Sequence, residues 1–163
     1  MKRLLVLRHA KSDWKDANLS DFERPLNERG LRTAPFMGSL IARERFAPAQ
    51  IVSSPAERAR HTAELVKTGG HLTAEIISDD RIYEASPQDL GQVVSELDDI
   101  HASAMLVGHN PGIEGFVRFL TGTLEPMPTA SLAVIELDID KWSAVTEGCG
   151  KLRHIFRPKD EMR

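Results

Sequence analysis

The chain has 163 residues, with 21 Lys and Arg against 24 Asp and Glu, a formal charge of -3 and a hydrophobic fraction of 41%. That length fits one domain, residues 1–163, and the small, mixed charge excludes the basic stripe of a nucleic-acid binder. One cysteine, Cys149, excludes an internal disulfide and a paired-thiolate metal site.

Residues 2–7 read as a first buried strand whose four consecutive apolar residues, Leu4 to Leu7, are too few to span a membrane, and the run stops on Arg8 and His9. The run is also too short for the core of a secretion signal, so a cytoplasmic protein without a membrane partner is expected. A cation and an imidazole where a buried strand emerges are costly unless something beyond the strand end uses them. The loop from Arg8 to about Arg24 has no sustained period, and ordered loops of that length are often functional. Within it, Trp14 is expected to pack or to shape a pocket rim, and Lys15 to be solvated, with a contact to substrate as the alternative. Asn27 is a plausible N-cap for a helix running to about Phe46, with a kink or delayed start expected from Gly30 and Pro35.

Residues 50–53 make a second strand. Ser54-Pro55-Ala56-Glu57 then reads as a helix start, with Ser54 as cap and Glu57 completing a capping box. On the helix from Pro55 to about Lys67, Arg58 falls with Thr62, Leu65 and Val66 on the apolar side, whereas Arg60 shares a side with Glu57, Glu64 and Lys67. Arg58 is therefore expected to point inward. Residues 75–77 form a third strand, and Ser86-Pro87-Gln88-Asp89 starts a helix that runs to about Leu97. The fourth run, 104–107, ends in Gly108-His109-Asn110-Pro111-Gly112 and is followed by a helix over 113–120. Residues 132–137 and 152–156 read as late strands, antiparallel or at an edge. This alternation predicts an α/β fold, a three-layer α/β/α domain with a mostly parallel central sheet.

Binding sites of such sheets form outside the carboxyl ends of the strands. Three runs here end in residue types that a phosphate needs: Arg8-His9, Ser53-Ser54-Pro55 leading to Arg58, and Gly108-His109. A planar guanidinium grips phosphate oxygens bidentately. Each opposite charge at about 4 Å contributes on the order of 4 kcal/mol at an effective dielectric near 20, before desolvation is subtracted. Several such contacts can hold a phosphoryl group without a metal. Neighbouring cations favour neutral His9, a competent nucleophile, and keep His109 neutral until a phosphate dianion offsets the arginines. His61, His71, His101 and His154 read as surface or structural residues, and no metal-binding pair at helical spacing is present.

Leu7-Arg8-His9-Ala10, Ser53-Ser54-Pro55-Ala56-Glu57-Arg58-Ala59 and Val107-Gly108-His109-Asn110-Pro111-Gly112 together resemble the histidine phosphatase, or phosphoglycerate-mutase-like, superfamily. The short length and the Gly-His-Asn-Pro-Gly segment look most like its SixA-type phosphohistidine phosphatases. Arg24-Pro25-Leu26-Asn27-Glu28-Arg29-Gly30 and Thr62-Ala63 match in order and spacing. The resemblance implies His9 as a transiently phosphorylated nucleophile, Arg8, Arg58 and His109 as holders of the phosphoryl oxygens, and no metal or organic cofactor. Glu84 is the candidate general acid; its alternative is a loop carboxylate paired with Arg81 or with a nearby helix end. Ala10 stands where most members have glycine, so the turn there must avoid a positive φ or tolerate strain. The expected substrate is a phosphorylated protein carrying phosphohistidine. A small phosphorylated metabolite and a non-catalytic phospho-ligand module are the alternatives.

Overall fold

The computed structural model describes residues 1–162. Six strands form one sheet: β1 (Lys2–Arg8), β2 (Ile51–Ser53), β3 (Ile76–Ser78), β4 (Ser103–Gly108), β5 (Leu132–Leu137) and β6 (Gly150–Phe156). Their order is β3-β2-β4-β1-β5-β6. The first four are parallel; β5 runs antiparallel to β1, and β6 closes the edge antiparallel to β5. The mostly parallel sheet and the antiparallel late strands are thus as the sequence predicts.

Two helices cover each face. Leu5 and Leu7 of β1 pack toward α1 (Glu28–Arg43) and α2 (Glu57–Gly70), whereas Leu4 and Val6 pack toward α3 (Pro87–Ser95) and α4 (Gly112–Thr121). All four strand side chains are fully buried. A strand covered on both faces needs an apolar residue at every position, which is why this run shows no polar alternation. A short α5 (Pro158–Glu161) follows the last strand.

The loop after β1 is pinned at its far end, where Asn27 accepts a hydrogen bond from the Gly30 N–H at 2.9 Å. Helix α1 therefore starts at Glu28 without delay, carries Pro35 inside it and stops at Arg43, before Phe46. Its contact with α2 is backbone against backbone. A Cβ on Gly38 would overlap the Val66 carbonyl, so only glycine permits this approach.

The start of α2 departs from the sequence reading. Ala56 is its cap residue, without a side-chain cap bond. The Ser54 N–H donates to the Val107 carbonyl at 3.0 Å and carries the β2–β4 ladder one bond past the end of β2, so Ser54 lies two residues before the cap position. Glu57 closes no capping box; it pairs with Arg60 at 2.5 Å. At α3 the same motif works as expected. Ser86 accepts from the Asp89 N–H at 3.1 Å, and the Asp89 carboxylate accepts from the Ser86 N–H at 2.9 Å. Among the described residues no helix is long and apolar enough to cross a membrane.

Candidate active site

The strand ladder aligns three chain segments at the carboxyl end of the sheet. The His9 N–H donates to the Gly108 carbonyl at 3.0 Å, and Ser54 is tied to Val107. These bonds bring the segments after β1, β2 and β4 around a cavity of about 240 Å³ whose walls include Arg8, His9, Asp21, Arg24, Arg58 and His109. The four residues singled out from the sequence at high priority, Arg8, His9, Arg58 and His109, therefore line one space. His61, His71, His101 and His154 do not reach it.

His9 is buried, with 6% of its surface exposed. Its Nδ1 lies 2.7 Å from the Ala10 carbonyl oxygen. A carbonyl only accepts, so Nδ1 carries the proton and the Nε2 lone pair is free. Burial, and then the charges of His109, Arg58 and Arg8, pull the His9 pKa down to about 3, against the opposing bond to Ala10. The imidazole is neutral at any ordinary pH. Ala10 keeps a negative φ; the residues with positive φ are elsewhere. Its N–H donates to Thr62 Oγ1 at 3.0 Å, and that hydroxyl donates to the Arg58 carbonyl at 2.6 Å. Alanine is accommodated in this turn without strain, and the same two bonds fasten the loop after β1 to α2.

Arg58 sits in the first turn of α2, buried as the helical pattern predicts, while Arg60 pairs with Glu57 and Glu64 on the outer side. Arg58 Nη1 donates to the Asp21 carbonyl at 2.7 Å and Nη2 to the Asp21 carboxylate at 3.0 Å. Arg8 is oriented by Nη1 donating to the Met127 carbonyl at 3.0 Å. Burial lowers the pKa of Arg8, with Glu114 opposing. A guanidinium remains charged regardless.

His109 completes the ring. The Ala56 N–H donates to Ser54 Oγ at 3.2 Å, and Ser54 Oγ lies 2.8 Å from His109 Nε2. Ser54 Oγ keeps a second lone pair and its own proton, so it can serve Nε2 in either tautomer. His109 Nδ1 is a buried atom with no protein partner among the described residues. With the proton on Nδ1, a phosphoryl oxygen would supply the missing acceptor. Burial first, then Arg58, holds the His109 pKa down at about 4, although Asp21 opposes.

Sequence reasoning missed three contributors and misread one. Asp21, on a 3-10 turn over Asp21–Glu23, also accepts from the Tyr83 hydroxyl at 2.6 Å, the largest cause of its lowered pKa. Arg24 is buried, donates to Ser12 and lies 3.3 Å from the other Asp21 oxygen. No periodicity marks these loop residues; the only signal for Arg24 was its place in the Arg24-Pro25-Leu26-Asn27 motif. Ser54 was read as a cap and instead touches His109. Trp14 does not pack: it is 73% exposed on the rim, with the Arg24 guanidinium 3.2 Å from its ring centre.

Glu84 is exposed, at φ 56°, on the wall of an adjoining cavity of about 370 Å³ that also touches Asp21, Tyr83 and His109. It does not pair with Arg81, which binds Asp79 at 2.7 Å and Glu96 at 2.9 Å.

Two expected outcomes follow from the depressed histidines. Adding vanadate should move the His109 pKa upward by a unit or more, about 1.4 kcal/mol, read by NMR titration of its ring protons; an unmoved value would refute the role of His109 as an anion-coupled donor. The second concerns stability. The folded values of about 3 and about 4 lie below the ordinary 6.5, so the unfolded chain binds more protons between them. Stability is therefore undiminished above pH 6.5 and falls as pH drops toward 4, by ~1.4 kcal/mol per unit for each histidine. Melting temperatures at pH 7, 6 and 5 (about one-unit steps across this window) should decline, and a flat profile would contradict the burial of neutral imidazoles.

Comparison with known proteins gives a consistent picture. Residues 4–105 match the model of the histidine phosphatase superfamily (branch 1). The Mycobacterium tuberculosis protein Rv1276c is 31% identical over 164 residues, covering 94% of this chain and 100% of the relative. A solved structure from Agrobacterium tumefaciens, assigned as the phosphohistidine phosphatase SixA, is 29% identical with a TM-score of 0.82, over 96% of this chain and 98% of that one. A protein histidine phosphatase SixA complexed with tungstate has the same fold at 21% identity and a TM-score of 0.84, over 98% and 99% of the two chains.

Proposed function

The chain belongs to the histidine phosphatase superfamily, and from that premise we propose that it is a phosphatase that takes the phosphoryl group of a protein phosphohistidine onto His9 and passes it to water. The observation that carries this reading is the Nδ1 contact of His9 with the Ala10 carbonyl, which leaves the Nε2 lone pair free on a residue that lines a cavity ringed by cations.

In the first step His9 Nε2 attacks phosphorus. An Nε2–P bond forms as the P–N bond of the substrate breaks, and the departing imidazole takes up a proton. Glu84, on the neighbouring wall, is the donor we assign to that proton. Arg8, Arg58 and His109 bind the equatorial oxygens, where charge spreads in the transition state; Arg24 adds a third guanidinium. In the second step water attacks phosphorus and gives a proton to the Glu84 carboxylate, restoring the acid; the Nε2–P bond breaks with its electron pair returning to nitrogen, and phosphate leaves. The fixed cations supply the charge stabilisation that a metal would otherwise give.

The test is parallel hydrolysis of a phosphohistidine peptide, a phosphoserine peptide and p-nitrophenyl phosphate, each with and without chelator. Preference for phosphohistidine with no chelator effect is the expected result. Preference for the ester would favour a small-ester phosphatase, activity restored by added metal would sink the mechanism, and tight phosphate binding without turnover would indicate a binding module.

A further inference from the structure

Lys11, Ser12 and Trp14 line the phosphoryl cavity and also form one wall of a second, open groove of about 600 Å³ bordered by the first turns of α1. Four cations border this groove, Lys11, Lys15, Arg29 and Arg32, against the carboxylates of Asp13 and Glu28. Among the described residues none of the four cations takes part in an ion pair. Unpaired charges of one sign gathered around a groove raise a positive potential that draws anionic groups. The overall charge of the chain is negative, so this is a local feature and not a property of the whole surface.

The shape decides what kind of ligand fits. Lys11, Trp14, Lys15, Arg29 and Arg32 are all exposed, so the groove walls cannot enclose a small molecule. Small-molecule sites bury roughly 70–90% of their ligand, whereas a segment of a folded partner gains its remaining contacts beyond the groove. Trp14, on the ridge between groove and cavity, offers the apolar surface that anchors such contacts.

Resting on the phosphohistidine-protein reading above, we propose that this groove docks an acidic segment of the substrate protein, with Asp or Glu residues beside the phosphorylated histidine. Lys15, Arg29 and Arg32 meet the carboxylates while the phosphoryl group enters the neighbouring cavity. Selection by exposed charges acts mainly on capture and is screened by salt.

The experiment compares two phosphohistidine peptides that differ only in their flanks, acidic in one and lysine-rich in the other, with phosphoramidate as a small substrate. Wild type should favour the acidic peptide in kcat/KM by about tenfold at low salt, and the preference should collapse at high salt. It should also collapse in the Arg29→Glu/Arg32→Glu variant, with phosphoramidate turnover and melting temperature reporting that the variant is folded. Equal turnover of the two peptides by wild type would overturn the docking proposal and leave the phosphohistidine reading standing. Turnover of neither peptide, alongside turnover of a phosphate ester, would overturn both. A variant that loses phosphoramidate and acidic-peptide turnover in parallel would also refute docking, since the effect would then lie in the chemistry.

Discussion

Replacing His9 with alanine is expected to lower phosphatase turnover on the order of 10⁴-fold and to abolish labelling of the protein by a phosphoamidate or aryl phosphate. The label itself should be stable to base and labile to acid, as a P–N bond is. The size of the loss follows from what remains. Arg8, Arg58 and His109 would still bind a phosphoryl group, but no lone pair would stand in line with phosphorus. His9 is nearly enclosed, so its removal also leaves a small cavity; a melting temperature close to wild type separates lost chemistry from lost structure. A label that survives in His9→Ala would show that the nucleophile lies elsewhere.

Exchanging Arg58 for lysine is expected to cost about 10²- to 10³-fold in kcat, although the charge is kept. One edge of the guanidinium holds both the carbonyl and the carboxylate of Asp21, while the group still borders the cavity. An ammonium on a flexible stem cannot keep that two-point bond and present a directed donor to phosphate at once. Vanadate inhibition should weaken in step with kcat, because vanadate resembles the five-coordinate phosphorus of the transition state. Arg58→Lys with near-normal turnover would mean that Arg58 serves structure alone.

The parts of this site that could be read from residues are those whose position follows from a regular element. A strand of four consecutive apolar residues has a definite exit, and Arg8 and His9 stand at it. Helical periodicity separated Arg58 from Arg60 because 3.6 residues per turn puts them on different sides of α2. Ser54 was misread because its local motif is satisfied equally well by a cap or by the residue that carries a strand ladder one bond further. The choice is made by Val107, more than fifty positions away, which takes its N–H. Asp21, Arg24 and Tyr83 lie on non-repeating backbone, so only the folded chain places them around Arg58. Glu84 could be placed on the loop before α3, but its side chain direction depends on a left-handed residue conformation that a glutamate does not advertise.

The position of β4 has a consequence for how the chain reaches this state. β1 and β2 never pair with each other; β4 lies between them and bonds to both, with Arg3 opposite Ser103 and Ile51 opposite Met105. Until residues 103–108 have been synthesised and inserted, β1 has no parallel neighbour and no link to β2, and the cavity has neither His109 nor the ladder that aligns His9 with Ser54. Pairings separated by about a hundred residues pay their loop-closure entropy before any contact rewards it, which slows folding. Phosphate affinity during refolding should therefore rise as a single late phase, after the helices form, and a fragment ending at residue 102 should show none.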